Sequence, residues 1–216
     1  MPSMPLSRMS RRPIMALVVV AIAAAAVAGC ASSKITELWR DPAYSGAPLH
    51  NVMVVSMSKD ATRRRLWEDT FSAGLSKKGV KATPSYTLFP DALPDTATAK
   101  RTVLEKGFDG VFVTHRVGTE QNQVYIPPTV TNVPTSYTVN PYWGYYGTYY
   151  SQVYTPGYTE TETVLTLQTD AWVADGKGGR LVWIGRSETI NPTSPSNVSK
   201  EITGMIVPQL AKSKVI

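Results

Sequence analysis

The chain has 216 residues, with 22 Lys and Arg against 16 Asp and Glu, one cysteine and two histidines. That length suits one domain with a substantial core and is short for two. A lone cysteine excludes an internal disulfide. His50 and His115 stand apart from any Cys, Asp or Glu at ligand spacing, so neither a metal site nor a cofactor is expected.

Arg8, Arg11 and Arg12 precede an apolar run from Ile14 to Ala28, the charged and hydrophobic regions of a secretory leader. At ~1.5 Å per residue, about fifteen residues span roughly 22 Å, short of the ~30 Å hydrocarbon core of a bilayer. A cleaved leader is therefore the better reading than a spanning helix. Losing its three arginines lowers the formal charge from +6 to about +3, and export removes nucleic acid as a partner. The stretch Val27-Ala28-Gly29-Cys30 resembles the lipobox of bacterial lipoproteins. The resemblance implies cleavage between Gly29 and Cys30, with a diacylglycerol and an acyl chain on Cys30. Ala31, where an inner-membrane retention signal has Asp, implies the periplasmic face of the outer membrane.

Residues 30–50 read as the lipidated cysteine and a tether, broken at Asp41-Pro42 and again around Ser45 to Pro48. Trp39 is the aromatic expected to bury and dock the tether. Val52 to Val55 is a continuous apolar run, the pattern of a strand covered on both faces. Asp60 can cap a helix whose apolar stripe is Leu66, Trp67, Thr70, Phe71, Gly74 and Leu75, with Gly79 as its stop. Lys81 to Phe89 reads as an edge strand, because Pro84 cannot donate to a ladder. Asp95 opens a second helix that ends at Lys106-Gly107, and Gly110 to Thr114 is another apolar strand running on in polar alternation toward Ile126.

Pro127-Pro128 then opens a long insertion, 127–158, and eight of the eleven tyrosines lie between Tyr137 and Tyr158. Loops of that length are functional or disordered. Beyond it, Leu165, Leu167, Ala171 and Val173 alternate with polar residues, and Asp175 to Gly179 turns the chain into Leu181 to Ile184, which predicts a hairpin. Val198, Ile202, Ile206 and Leu210 recur at helical spacing behind the caps Ser194 and Ser196, with Pro208 predicting a distortion. Strand, helix, strand, helix, strand, insertion, two strands and a helix give a single α/β (α+β) domain over 51–214, a mixed sheet of about five strands flanked by three helices.

Two groups of residues are candidate binding sites. Arg63, Arg64 and Arg65 put three cations in the first turn of a helix, where the macrodipole opposes each by about 0.3–1 kcal/mol. They read as a solvated helix end, or as a contact for anionic lipid or an acidic partner. Tyr142, Trp143, Tyr145, Tyr146, Tyr149 and Tyr150 offer large contact area with few rotors to order, which suits a recognition surface, a sugar platform or an interfacial belt. A flexible low-complexity loop has the same composition. Glu120, Glu160, Glu162, Asp170 and Glu188 supply acids for a glycan hydrolase, but no pair is singled out.

Leu38-Trp39-Arg40-Asp41-Pro42, the Val52 to Met57 strand, Glu68, Ser85-Tyr86 and the aromatic insertion before the final hairpin together resemble a family of Gram-negative outer-membrane lipoproteins with no assigned chemistry. The core is distantly similar to the small α/β domain of the curli-secretion lipoprotein and of the amino-terminal part of the Tol translocation protein. The resemblance implies a non-catalytic envelope module that binds or assembles, with an envelope protein or peptidoglycan as its partner. The alternatives are a hydrolase of envelope glycans and a subunit of an oligomeric ring. It transfers no catalytic residue.

Overall fold

A computed structural model describes residues 32–139, 146–176 and 179–216. Its elements are β1 (Ser32–Arg40), β2 (Asn51–Ser56), α1 (Ala61–Ser76), β3 (Lys81–Pro84), a 3₁₀ turn at Ser85–Thr87, α2 (Thr96–Glu105), β4 (Gly110–Ile126), β5 (Thr129–Val139), β6 (Tyr146–Thr155), β7 (Tyr158–Val173), β8 (Arg180–Ile190) and α3 (Pro195–Lys212). Six strands form one sheet in the order β1-β8-β7-β4-β2-β3, and β5 and β6 pair separately. β2 runs parallel to β3 and β4, and the other pairs are antiparallel.

The mixed sheet and three helices match the predicted fold class, with β2 covered on both faces. Val52 and Val54 point into a core shared with Phe71 and Leu75 of α1 and with Ile202, Ile206 and Leu210 of α3. Met53 and Val55 point the other way, toward Val103 of α2 and Phe108. The predicted stops also hold. The Asp60, Asp95 and Ser194 side chains accept from the amides of Arg63, Thr98 and Asn197. Gly79 and Gly107 end α1 and α2 with φ of +82° and +65°, a conformation that only glycine adopts without cost.

Three readings need correction. The supposed tether contributes an edge strand, β1, paired antiparallel with β8 from Ser32↔Ile190 to Arg40↔Trp183, so the main sheet has six strands. A register shift between Ile35 and Glu37 interrupts its alternation, which hid it. Trp39 is 44% exposed: it pairs with Ile184, and the strand parity turns it away from the face where Trp183 is buried. The edge strand β3 ends at Pro84, and Ser85–Thr87 coils into a 3₁₀ turn rather than continuing to Phe89. The last helix, α3, carries Pro208 inside it, as the spacing placed it.

The insertion is the largest departure. β4 and β7 stay paired past the sheet as far as Ile126↔Tyr158, and β5 and β6 form a second ladder from Thr129↔Thr155 to Val139↔Tyr146. The two ladders are joined by Pro127-Pro128 on one side and Pro156-Gly157 on the other. A Cβ on Gly157 would lie 2.5 Å from the Tyr125 hydroxyl, so a larger residue there would have to displace that side chain. What reads as a loop is a two-stranded arm.

Candidate functional site

The three adjacent arginines have three different fates. Arg63 is exposed and lies 3.8 Å from the Asp60 cap. The Arg65 guanidinium stands 5.6 Å over the Tyr86 ring. The Tyr86 hydroxyl donates to Asp69 at 2.7 Å; that bond holds the phenol's pKa above its ordinary value, with desolvation and the Asp69 charge acting the same way. Arg64 turns inward and is 5% exposed, facing a Glu68 that is wholly buried.

Glu68 is the hub of a closed polar network. Its Oε1 accepts from Arg64 Nε at 3.1 Å, from the Ser56 amide at 2.9 Å and from Ser85 Oγ at 2.7 Å, and its Oε2 accepts from the Tyr86 amide at 2.8 Å. Arg64 Nη2 donates in turn to Ser85 Oγ at 2.9 Å. The carboxylate therefore ties α1 to the end of β2 and to the turn after β3. A charge removed from water needs this degree of satisfaction to persist in a core. The network corrects the solvated reading for Arg64 alone. Sequence reasoning missed it, although Arg64, Trp67, Glu68, Phe71 and Leu75 fall at helical spacing on one stripe.

Of the aromatic candidates, Tyr142, Trp143 and Tyr145 lie outside the described residues, as do Gly29 and Cys30. Tyr146, Tyr149 and Tyr150 fall on β6, opposite Val139, Ser136 and Pro134 of β5. Every residue of Thr129–Thr135 and Tyr150–Thr155 is exposed, including Val130, Val133, Tyr150, Val153 and Tyr154. A sequence signal also went unread: from Gln121 to Thr159 there is no Asp, Glu, Lys or Arg, although 18% of the chain is charged.

Glu120, Glu160 and Glu162 share one face of the β4–β7 ladder, Glu162 opposite Asn122 and Glu160 opposite Val124. Glu188 pairs with Lys34 at 3.1 Å. Asp170 accepts from Gln168 at 2.9 Å, with His115 Nδ1 4.0 Å away. Among the described residues no group of three His, Cys, Asp or Glu could hold a metal ion, and no helix is long and apolar enough to cross a membrane.

A cleft of about 1350 Å³ wraps the sheet, with Met53, Val55, Val103 and Val111 along one face and Asp175 to Gly179 at the end opposite the close of β2. Ser56 to Asp60, Pro192 to Pro195 and the start of the arm border it, and Trp67, Leu165, Leu167 and Val198 lie along its wall.

No family model and no curated protein matches the chain. Among solved structures it is similar to the PelC dodecamer from Paraburkholderia phytofirmans, at 11% identity and a TM-score of 0.43, over 86% of this chain and 99% of that one. It is also similar to the lipoprotein GNA1162 from Neisseria meningitidis, at 14% identity and a TM-score of 0.38, over 76% of this chain and 99% of that one.

Proposed function

We propose that the chain is a lipid-anchored envelope protein, held through Cys30 at the periplasmic face of the outer membrane, that works as a non-catalytic binding and assembly module. The arm is its contact surface. The observation that carries this reading is a two-stranded ribbon without charge from Gln121 to Thr159, exposed over all the β5 and β6 residues whose surroundings are described. A two-stranded ribbon is marginally stable by itself in water. Tyr and Val side chains left open on it gain most when a partner covers them.

Strand register supports a membrane-side role for the arm. Ser32 pairs with Ile190, Ile190 with Val164, and Val164 with Glu120. β1 thus starts, at Ser32, level with the point where β4 and β7 leave the sheet, so the start of β1 and the arm lie at the same end of the domain. The lengths of β5 and β6, 11 and 10 residues, equal those of strands that cross an outer membrane, about 9–11 residues. This favours, as a second reading, a ring whose copies each supply one hairpin.

A photoreactive residue at Tyr150, with the lipoprotein in its own membrane, tests the first reading. One reproducible protein or glycan adduct, lost when Tyr150, Tyr154 and Tyr158 become Ser while the melting temperature holds, is the expected result. Adducts to lipid alone, or none, overturn the arm as a binding surface. Light scattering of the lipidated protein in detergent distinguishes a single copy from the ring.

A further inference from the structure

The two faces of the arm differ in chemistry. In an antiparallel ladder opposed residues point to the same side, and the side alternates along each strand. The β5–β6 register therefore puts Val130 with Tyr154, Asn132 with Gln152 and Pro134 with Tyr150 on one face. Thr129 with Thr155, Thr131 with Val153 and Val133 with Ser151 make the other. All of these residues are exposed. On the first face Tyr150 and Tyr154 are 64% and 62% exposed. The side-chain amides of Asn132 and Gln152 lie between them, with no hydrogen bond to the protein among the described residues. Four residues at ~3.4 Å each put the two tyrosines about 14 Å apart along β6.

Lipid, protein and glycan compete as occupants of such a face. A strand pair in hydrocarbon needs one face apolar along its length. Here one face has the Asn132–Gln152 pair at its middle, and the other has Thr129, Thr131, Ser151 and Thr155. A protein partner, a second copy included, is ordinarily steered and registered by charge, and none stands from Gln121 to Thr159. A neutral glycan meets each feature. The C–H face of a pyranose is apolar and stacks on the negative face of a phenol ring. Sugar hydroxyls both donate and accept, as a carboxamide does. The distance between the tyrosines exceeds one sugar ring, so a ligand that touches both has several units. We propose that this face of the arm binds a strand of neutral polysaccharide, its rings stacked on Tyr150 and Tyr154 and its hydroxyls bonded to Asn132 and Gln152 between them. This rests on the reading of the arm as the contact surface and names the chemistry of its partner.

Calorimetry of the full lipidated chain in detergent micelles tests this, with linear β-linked oligomers of glucose and of N-acetylglucosamine from a single unit upward. Binding should tighten with length until the face is covered, and should change by less than about twofold between low and high salt, because no charge is paired. Oligomers of a uronic acid and of glucosamine, one anionic and one cationic, should bind no better at low salt. Tyr154→Ala should weaken binding by about two- to tenfold. Asn132→Leu with Gln152→Leu separates the occupants: it should weaken the glycan by about two- to tenfold, whereas it would strengthen contact with lipid or an apolar protein surface. Trp39→Ala removes an exposed aromatic outside the arm and should change nothing. Melting temperatures equal to the parent's show that each variant folds. No binding of any neutral oligomer, preference for a charged one, tighter binding by the double leucine variant, or loss of binding in Trp39→Ala alone would overturn the proposal. The crosslink at Tyr150 distinguishes that failure from failure of the arm: a protein adduct without glycan binding removes the glycan only, and the absence of both removes the contact surface as well.

Discussion

β2 and β5 are both strands in regular ladders, yet their surroundings are opposite. Five of the six residues of β2 are buried, with helices on both sides, while every described residue of β5 from Thr129 to Thr135 is exposed. Buried apolar area holds β2 in place, at roughly 25 cal/mol per Å². β5 has only its ladder to β6 and the side chains across it, which contribute about 0.2–1 kcal/mol per pair. The body of the protein is therefore held by buried area, and the arm by its ladder alone. Variants in the body and in the arm should separate stability from function.

The largest effect is expected in the body, at Glu68. Glu68→Ala leaves the Arg64 guanidinium buried without its carboxylate, and breaking such a pair costs about 3–5 kcal/mol. Replacing both members, Arg64→Met with Glu68→Leu, removes the stranded charge and should recover part of that loss. It should not recover all of it. Glu68 also accepts from the amides of Ser56 and Tyr86, and each buried donor left without a partner costs about 1–3 kcal/mol. Urea unfolding of both variants checks this, and a double variant as stable as the parent would mean that the network serves only to satisfy itself.

A smaller, pH-dependent effect is expected where β1 joins the body. The Asp41 carboxyl is held below its ordinary value, first by the Ala43 amide and then by Arg180 of β8, against a desolvation that acts the other way. A folded-state pKa below the unfolded one stabilises the fold above about pH 4, and that contribution disappears as the pH falls through the folded value. Asp41→Asn should therefore lower the urea midpoint at pH 6, and the difference from the parent should shrink toward pH 3. A difference that grows on acidification would contradict the clasp between Asp41 and Arg180.

What was legible in the sequence divides along the same line. Where burial sets the pattern, as in Val52 to Val55, in the stripe around Phe71 and in the final helix, periodicity and caps located the elements. Edge and arm strands carry weaker signals. β1 buries no residue fully, and its bulge shifts the alternation; β5 and β6 have Thr, Ser and Tyr where a core strand has Val and Ile, because no core selects their side chains. Arg64 and Glu68 were misread for a different reason. Each charge alone belongs on a surface, and only their joint place on the apolar stripe, four residues apart, marks them as a buried pair. The cleft left no sequence trace, since its wall combines residues of α1, β7 and α3 that come together only on folding.

The smallest effect on stability is expected from the largest change. Ile126 and Tyr158 are paired across the ladder, so replacing residues 127–157 with Asn-Gly closes β4 and β7 by a two-residue turn whose twist suits the flanking strands. Among the described residues, the excised segment contributes no side chain to either core cluster. At roughly 2–4 °C per kcal/mol for a chain of this size, the melting temperature should stay within about 2 °C of the parent. Crosslinking to a partner should vanish, because the contact surface is gone. A fall of more than about 5 °C would place the arm among the elements that hold the body together. An unchanged melting temperature with partner capture intact would move recognition to the face of the sheet where Trp39 is exposed.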